Sequence, residues 1–329
     1  MRHFFGVVVM ILGSVLLATA QALTVKEIGA EAERMLQEGR FKELDRQASD
    51  YIRQDLRLPG GNAAVYHFYG ALGSFAGGSA YGYESKMSRA QKDELLTRWL
   101  ATIPSSVSAR IALGEFWSND AWVTRGYAYS RDIPETTWKA FQWRMNQART
   151  YLDAVKATDD PHFYFVRIDV AKGMGERALM DSLYASGQKR FPSYYHYYSQ
   201  RALLLQPKWF GAPGAVAQYV KSLHAQPGGV DGQVAYSFAS ASLLGVYGSR
   251  DVLKDTGLNW PLVKEAYAVR QKRYGLRNKD WNTLCNLALA AADRPAAKEA
   301  LTQFGTEWDP AVWRDRKYFD SAVEWIQRQ

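Results

Sequence analysis

The apolar positions of this chain recur at the spacing of an α-helix. Val25, Ile28 and Ala32 lie three or four residues apart and mark one face. A turn at Gly39 leads into a second apolar stripe that ends before Pro59. Two helices joined by so short a turn must pack antiparallel, because the linker can reach no other arrangement.

The same order of helix, short turn and helix recurs twice more. One copy turns at residues 173–175 and stops at Pro192. The other turns at residues 293–294 and carries Pro295 in the first turn of its second helix, where a missing amide proton costs nothing. Convincing alternating strand patterns are absent from the sequence. The pattern predicts an all-α fold of antiparallel helix pairs, stacked as a tetratricopeptide-like superhelix.

The first 22 residues differ from the rest and predict an export signal. Arg2 precedes an apolar run over residues 4–17, which is short of the roughly 20 residues that span a bilayer. Small residues at alternate positions favour cleavage after Ala20 or Ala22. We therefore expect a periplasmic or secreted protein whose mature part is not membrane-spanning.

The remainder divides at a Gly/Pro-rich break over residues 226–232, which could act as a hinge. We expect a helical repeat domain over residues 23–225, and C-terminal hairpins over residues 233–329 that continue the same array. A glycine-rich stretch over residues 70–82 predicts either a mobile loop or a close approach between helices.

Composition narrows the kinds of partner. The net charge of +8 is spread along the chain, and no run of basic residues with interleaved aromatic residues occurs. This argues against nucleic acid as a partner and allows an anionic cell-wall polymer or lipid surface. The only cysteine, Cys285, lies in an apolar helical pattern and is expected to be buried. His67, His162 and His224 are isolated in sequence, so we expect no metal site and no cofactor.

The middle of the chain carries a set of landmarks: Trp99, Pro104-Ser105-Ser106, Ala121-Trp122 with Arg125-Gly126, Trp138, Ala148, Ala154, Pro192 and Leu205-Gln206-Pro207-Lys208-Trp209. Over residues 99–223 this set resembles the bacterial domain of unknown function 4034 family. This chain departs from the family's Trp-Gly-Gly-Ser turn, since it reads Trp209-Phe210-Gly211-Ala212. The resemblance implies a tetratricopeptide-like helical fold and implies no activity.

Two clusters within these landmarks are the candidate ligand- or partner-binding residues. Trp122 lies three residues before Arg125, and Lys208 directly precedes Trp209. An indole beside a fixed cation can hold an anionic or sugar ligand by stacking and charge. The alternative is packing, because each indole buries about 150–250 Å² and helix pairs need such anchors.

Other polar residues are weaker candidates. In the segment 194–198, helical geometry directs His196 away from the apolar stripe, which predicts a surface or groove histidine. Glu115 fits a surface carboxylate of an amphipathic helix better than a general acid. Glu84-Ser85 resembles the glutamate-serine pair of murein lytic transglycosylases, but its glycine-rich context and the missing Gly-Leu-Met-Gln element argue against that chemistry.

These observations predict a non-enzymatic scaffold that holds a protein or peptide partner in the cell envelope, because the repeat pattern comes without a catalytic set. The alternative is an envelope hydrolase or binding protein that acts on wall glycan, which the positive charge and the aromatic content favour.

Overall fold

The structure, a computed structural model, describes residues 23–126, 128, 130–223 and 229–328. The predicted signal peptide, His224 and the start of the break at residue 226 lie outside these residues. Within them the chain forms α-helices and one 3₁₀ turn, with isolated β-bridges and no β-strand, and no helix among them is long and apolar enough to cross a bilayer. The helices are α1 Val25–Gln37, α2 Phe41–Arg53, α3 Ala64–Gly73, α4 Arg89–Thr102, α5 Val107–Arg125, α6 Glu135–Asp153, α7 Pro161–Gly173, α8 Arg177–Arg190, α9 His196–Leu204, α10 Ala215–Leu223, α11 Gly229–Thr256, α12 Trp260–Tyr274, α13 Asn278–Ala290, α14 Arg294–Phe304, α15 Pro310–Trp313 and α16 Arg316–Gln327.

The fold is the predicted all-α stack of helical hairpins, and capping residues fix where its helices begin. Thr24 and Glu27 form a capping box at the start of α1. The Asp160 carboxylate accepts a hydrogen bond from the backbone N–H of His162 at 2.8 Å and so caps α7. Asp293 caps α14 in the same way, which confirms the predicted turn ahead of Pro295.

Two apolar cores run through the array. The larger extends from Ile28 to Leu287, and the smaller joins residues between Cys285 and Ile326. The larger core continues past residues 226–232, because α11 packs against α9. Cys285 is buried in the smaller core as expected, and burial raises the pKa of its thiol to about 12.

Glycines bring α3 close to its neighbours. A Cβ atom on Gly70 would lie 2.5 Å from the Tyr81 ring, and one on Gly73 would lie 2.5 Å from the Glu115 side chain. The predicted close approach between helices therefore holds for Gly73, which meets Glu115 of α5, whereas Gly70 meets a ring of the loop that follows α3. The loop after α3 is anchored to α1, because the hydroxyl of its Tyr83 donates to the Glu33 carboxylate at 2.8 Å. The buried Lys92 of α4 donates to the same carboxylate at 2.5 Å.

The array curls until the α2–α3 connection reaches α12. The backbone N–H of Gly60 donates to the Gly275 carbonyl at 3.1 Å. The guanidinium of Arg270 donates to the Gly60 carbonyl at 2.8 Å. Contacts between residues this far apart in sequence close the inner face of the stack around a central space.

Candidate functional site

The inner face of the array encloses a cavity of about 690 Å³. Successive helices each present to it a stripe of side chains at three- or four-residue spacing, as expected of one helical face. The stripes are Glu115, Ser118, Asn119 and Trp122 on α5, Phe165, Asp169 and Lys172 on α7, His196, Ser199, Gln200 and Leu203 on α9, and Phe238, Ala241, Ser242 and Val246 on α11. Five cationic and three anionic side chains line the cavity.

The two candidate tryptophans meet in this wall. The rings of Trp122 and Trp209 pack edge to face with centroids 5.8 Å apart. Between them lies Lys172, whose ammonium is 4.1 Å from the Trp122 centroid and 5.4 Å from that of Trp209. The indole N–H of Trp122 donates to Asp169 at 2.6 Å, and Asp169 also pairs with Lys172. We call Trp122, Asp169, Lys172, Lys208 and Trp209 the tryptophan cluster.

The predicted cations occupy different places. Lys208 is exposed and lines the cavity. Arg125 is not among the lining residues, and its guanidinium lies 5.7 Å from the Trp122 ring and 5.5 Å from the Trp138 ring. The cation nearest both indoles is therefore Lys172, a residue that sequence reasoning did not single out.

A second charged group in the wall was also missed from the sequence. Arg270 and Arg277 both donate to the Asp280 carboxylate, at 2.7 Å from Arg270 and at 2.9 and 3.1 Å from Arg277. Burial by itself would raise the pKa of Asp280, but the two guanidiniums outweigh it and lower that pKa to about 2. We call Arg270, Arg277, Lys279 and Asp280 the arginine cluster. In sequence its only signal is one Arg and Asp pair at i,i+3 spacing, which ordinary helix surfaces also carry.

The structure corrects the prediction of a surface carboxylate at Glu115. Only 4% of Glu115 is exposed, and its carboxylate lies 3.1 Å from Nε2 of the fully buried His162. The Nε2–H of His162 donates to this carboxylate, and Nδ1 lies 2.7 Å from the hydroxyl of Tyr194. The Tyr69 ring stacks on this imidazole with centroids 4.9 Å apart, and the Tyr69 hydroxyl donates to Asp160. Isolation in sequence hid these partners because they come from separate parts of the chain.

His196 also departs from its sequence-based placement on an outward face. It is 6% exposed and stacks on Tyr66 with centroids 3.5 Å apart and planes 6° from parallel. The helical phase was wrong because α9 begins only at His196, so Tyr194 and Tyr195 precede the helix. The sequence predicted a surface or groove histidine, and His196 does line the cavity. Burial lowers its pKa well below 6.5, and electrostatic interaction with His67 and Arg57 lowers it further.

Four buried side chains in the cavity wall carry a polar atom without a hydrogen-bond partner in the described part of the chain. They are Asn62 at Nδ2, His196 at Nε2, Gln200 at Oε1 and Gln206 at Nε2, each at most 9% exposed. Buried polar groups are nearly always hydrogen-bonded in native proteins. Seven further atoms of this kind lie elsewhere in the described residues, and four fall on the wall of this one cavity, which favours a polar ligand there. Each of the four is itself covered by protein, so a ligand reaches it only after a rotation of the side chain.

Two other sequence candidates lie elsewhere. Glu84 is exposed, and the adjacent Ser85 is buried and donates its hydroxyl to Glu33, so the pair belongs to the loop after α3. Across residues 23–126, 128, 130–223 and 229–328, no group of three or more His, Cys, Asp or Glu side chains is placed to hold a metal ion.

Comparison with known proteins gives a family and no activity. A family model described as a domain of unknown function (DUF4034) matches residues 29–196, which is half of the chain. No curated protein and no solved structure matches. The chain therefore belongs to the domain of unknown function 4034 family. Trp122 and Arg125 lie within the matched range, whereas Lys208 and Trp209 lie beyond it.

Proposed function

We propose that this family member is an exported, non-enzymatic protein of the cell envelope that binds a peptide segment of a partner in its central cavity. The observation that carries the proposal is the set of four unpartnered polar atoms, on Asn62, His196, Gln200 and Gln206, around a space of about 690 Å³. Ligand cavities of proteins fall between about 300 and 1,000 Å³ and combine apolar walls with a few placed polar groups.

The chemistry of the wall favours a peptide. Three of the four unpartnered groups are carboxamides, which match the donor and acceptor pattern of a peptide backbone. Aromatic side chains such as Tyr66, Phe165 and Phe238 separate them and offer apolar surface to side chains. The excess of cations in the wall adds attraction for an acidic partner.

The proposed localisation rests on the sequence of the first 22 residues. Their charged start, short apolar run and small-residue cleavage pattern are those of a secretory signal peptide. An exported protein with a closed helical array would meet its partner in the periplasm or outside the cell.

Glu115 supports a second candidate, an enzyme or binding protein that acts on wall glycan. Its carboxylate lines the cavity and is oriented by His162, an arrangement suited to a general acid. Most glycoside hydrolases need a second carboxylate across the scissile bond. The other carboxylates in the wall are engaged, since Asp169 accepts from Ser118, Trp122 and Lys172 and Asp280 accepts from two arginines. Lys172 also occupies a face of Trp122 on which a sugar would stack. The peptide therefore ranks first.

Selection of displayed random peptides against the purified protein tests the proposal, followed by calorimetric titration of the enriched sequences. We expect binding that is lost in Ala241→Trp, because residue 241 lines the cavity and an indole there would fill it. Ala185→Trp is the matched control, since Ala185 is exposed on α8 and is not among the lining residues.

Two outcomes would contradict the proposal. One is that no peptide is enriched, and the other is that Ala241→Trp binds as well as Ala185→Trp. Release of soluble muropeptides from purified peptidoglycan would favour the glycan candidate instead, provided that Glu115→Gln abolished it.

A further inference from the structure

We propose that the arginine cluster is a subsite for a carboxylate of the bound peptide. The inference rests on the proposed function and adds to it the chemical group that the ligand must present. Its basis is the charge balance, the fixed geometry and one unpartnered donor at this part of the wall.

The charges of the cluster do not balance. Arg270, Arg277 and Lys279 supply three cations, and Asp280 supplies the only carboxylate that either arginine contacts in the described part of the chain. The side chains of Arg270 and Asp280 are 3% and 7% exposed and balance each other's charge, so the surplus lies on Arg277, whose side chain is 30% exposed, and on the exposed Lys279. A cationic surplus that lines a cavity beside a buried ion pair is a favourable site for an anion.

The existing carboxylate has little capacity left. Asp280 accepts from Arg270, from the Arg277 guanidinium and from the backbone N–H of Arg277 at 3.0 Å. The Arg277 side chain keeps 30% of its surface exposed, and Arg277 lines the cavity, so part of its guanidinium is open to a second carboxylate. Guanidinium and carboxylate groups are complementary in shape and pair through two parallel hydrogen bonds.

The guanidinium of Arg270 is held in place before any ligand binds. It donates to the Gly60 carbonyl and lies 4.3 Å from the centroid of the Phe238 ring. A Cβ atom on Gly60 would lie 2.5 Å from an Asp280 carboxylate oxygen, so glycine is what allows this approach. Preorganised charge binds a ligand without an ordering cost.

Asn62 supplies the independent observation. It lies two residues after Gly60, lines the cavity at 6% exposure, and its Nδ2 donor has no partner. An unpaired N–H donor in the same cavity wall, two residues from the glycine that Arg270 contacts, is suited to an acceptor that carries negative charge, as a carboxylate does.

The experiment compares selected peptides that carry a free carboxylate with the same peptides as amides, at the C-terminus and at each acidic side chain in turn. We expect one of these carboxylates to contribute about tenfold or more to affinity, as charge-assisted hydrogen bonds do. Terminal and side-chain sources are distinguished by the position whose neutralisation causes the loss.

Two isosteric variants locate the carboxylate. Asn62→Asp replaces the unpartnered donor by a carboxylate that would itself neutralise the cluster, so we expect it to abolish the preference for the acid while raising the protein's melting temperature. Gln206→Glu is the matched control, because it adds the same charge at another unpartnered carboxamide of the wall, beside Trp209. It should leave the ratio of acid to amide affinity unchanged, whatever its effect on affinity itself.

A second pair of variants keeps the test independent of buried substitutions. Lys279 and Lys208 are both exposed lysines that line the cavity, one in each cluster. At the carboxylate that the arginine cluster holds, Lys279→Ala should lower the acid-to-amide ratio severalfold, and Lys208→Ala should leave that ratio as in the wild type even where it weakens the acid and the amide alike. Equal ratios in these two variants would overturn the subsite.

A measurement without any selected peptide separates this inference from the proposed function. N-acetylglycine at millimolar concentration should raise the melting temperature of the wild type and of Gln206→Glu, and should not raise that of Asn62→Asp; N-acetylglycinamide should have no effect. Peptides that bind equally well as acids and amides would refute the subsite and leave peptide binding intact. If N-acetylglycine shifts the melting temperatures as expected but the selection yields no binding peptide, the subsite is supported and the proposed function is refuted. If N-acetylglycine has no effect and no peptide binds, both are refuted.

Discussion

The tryptophan cluster and the arginine cluster line the same cavity but are built differently. In the tryptophan cluster, Lys172 and Asp169 pair with 18% and 20% of their side chains exposed, beside two indole rings. In the arginine cluster, Arg270 and Asp280 pair at 3% and 7% exposure and reach the chain at Gly60. The first ion pair is partly solvated and rests on aromatic surface, whereas the second is buried and joins distant parts of the array.

Because of this difference, the two clusters should contribute differently to the stability of the fold. If Asp169 is lost, water and the indole faces still stabilise the Lys172 ammonium, and if Lys172 is lost, water and the donors Trp122 and Ser118 still stabilise the Asp169 carboxylate. The charges of the arginine cluster depend on one another, because removal of one partner leaves the other buried without compensation. We therefore expect the arginine cluster to stabilise the contact that closes the array as well as to bind the ligand.

The largest expected effect is on the free energy of unfolding after loss of each carboxylate. Asp280→Ala should cost about 3–5 kcal/mol, because the buried guanidinium of Arg270 and the partly exposed one of Arg277 lose their counter-ion. Asp169→Ala removes a partly exposed partner and should cost about 1–2 kcal/mol, including the hydrogen bond from Trp122. Urea denaturation of both variants measures the difference, and equal losses would mean that burial does not separate the clusters.

The same contrast explains what could be read from the sequence. The hairpins at α1/α2, α7/α8 and α13/α14 were predictable because apolar spacing and turn residues are local signals. Trp122 and Trp209 could be singled out because each indole lies beside a cation in a short motif. Their meeting could not be predicted, since Trp122 lies in α5, Trp209 lies between α9 and α10, and Lys172 of α7 lies between the two rings.

The arginine cluster and the buried network at Glu115 were beyond local reasoning. Gly60 and Arg270 are brought together only by the curl of the whole array, which no short pattern records. Glu115 reads as a surface residue until His162 of another helix is placed against it. His196 was misplaced because the start of α9 set the helical phase, and helix starts are the least predictable part of an element.

A second comparison uses glycines with positive φ, one in each region. Gly60 has a φ of 80° and Gly126 a φ of 69°. Gly126→Ala should cost about 1 kcal/mol in unfolding free energy, since only the backbone conformation is strained and no atom lies within 4 Å of the added Cβ. Gly60→Ala should cost about 2–3 kcal/mol, because its Cβ also displaces the Asp280 carboxylate. Equal costs would show that the approach at Gly60 is not tight.

The pH dependence of stability should come from the side of the cavity near the arginines. The pKa of His196 is lowered by burial first and by electrostatic interaction with His67, Arg57, His162 and Arg277 as well, so His196 stays neutral in the folded protein at pH values where the unfolded chain takes up a proton. Its contribution to stability is therefore full above about pH 6.5 and is lost as the pH falls. The free energy of unfolding should fall by up to about 1.4 kcal/mol per pH unit from this residue, and His196→Gln should remove that part of the slope. Chemical denaturation between neutral and mildly acidic pH measures both slopes, and identical slopes would contradict the assignment.

The smallest expected effects distinguish Arg125 from Lys208, the two cations that the sequence places beside the tryptophans. Arg125 covers the rings of Trp122 and Trp138 outside the cavity, so Arg125→Ala should lower the unfolding free energy by about 0.5–1 kcal/mol and leave peptide affinity unchanged. Lys208 is exposed on the cavity wall, so Lys208→Ala should leave stability unchanged and weaken an acidic peptide about threefold, the size of an exposed charge pair. Titration and denaturation of the same two preparations decide the matter. If Arg125→Ala weakened binding more than Lys208→Ala did, the ligand would have to reach the outer side of Trp122, and the tryptophan cluster would extend beyond the cavity that defines it here.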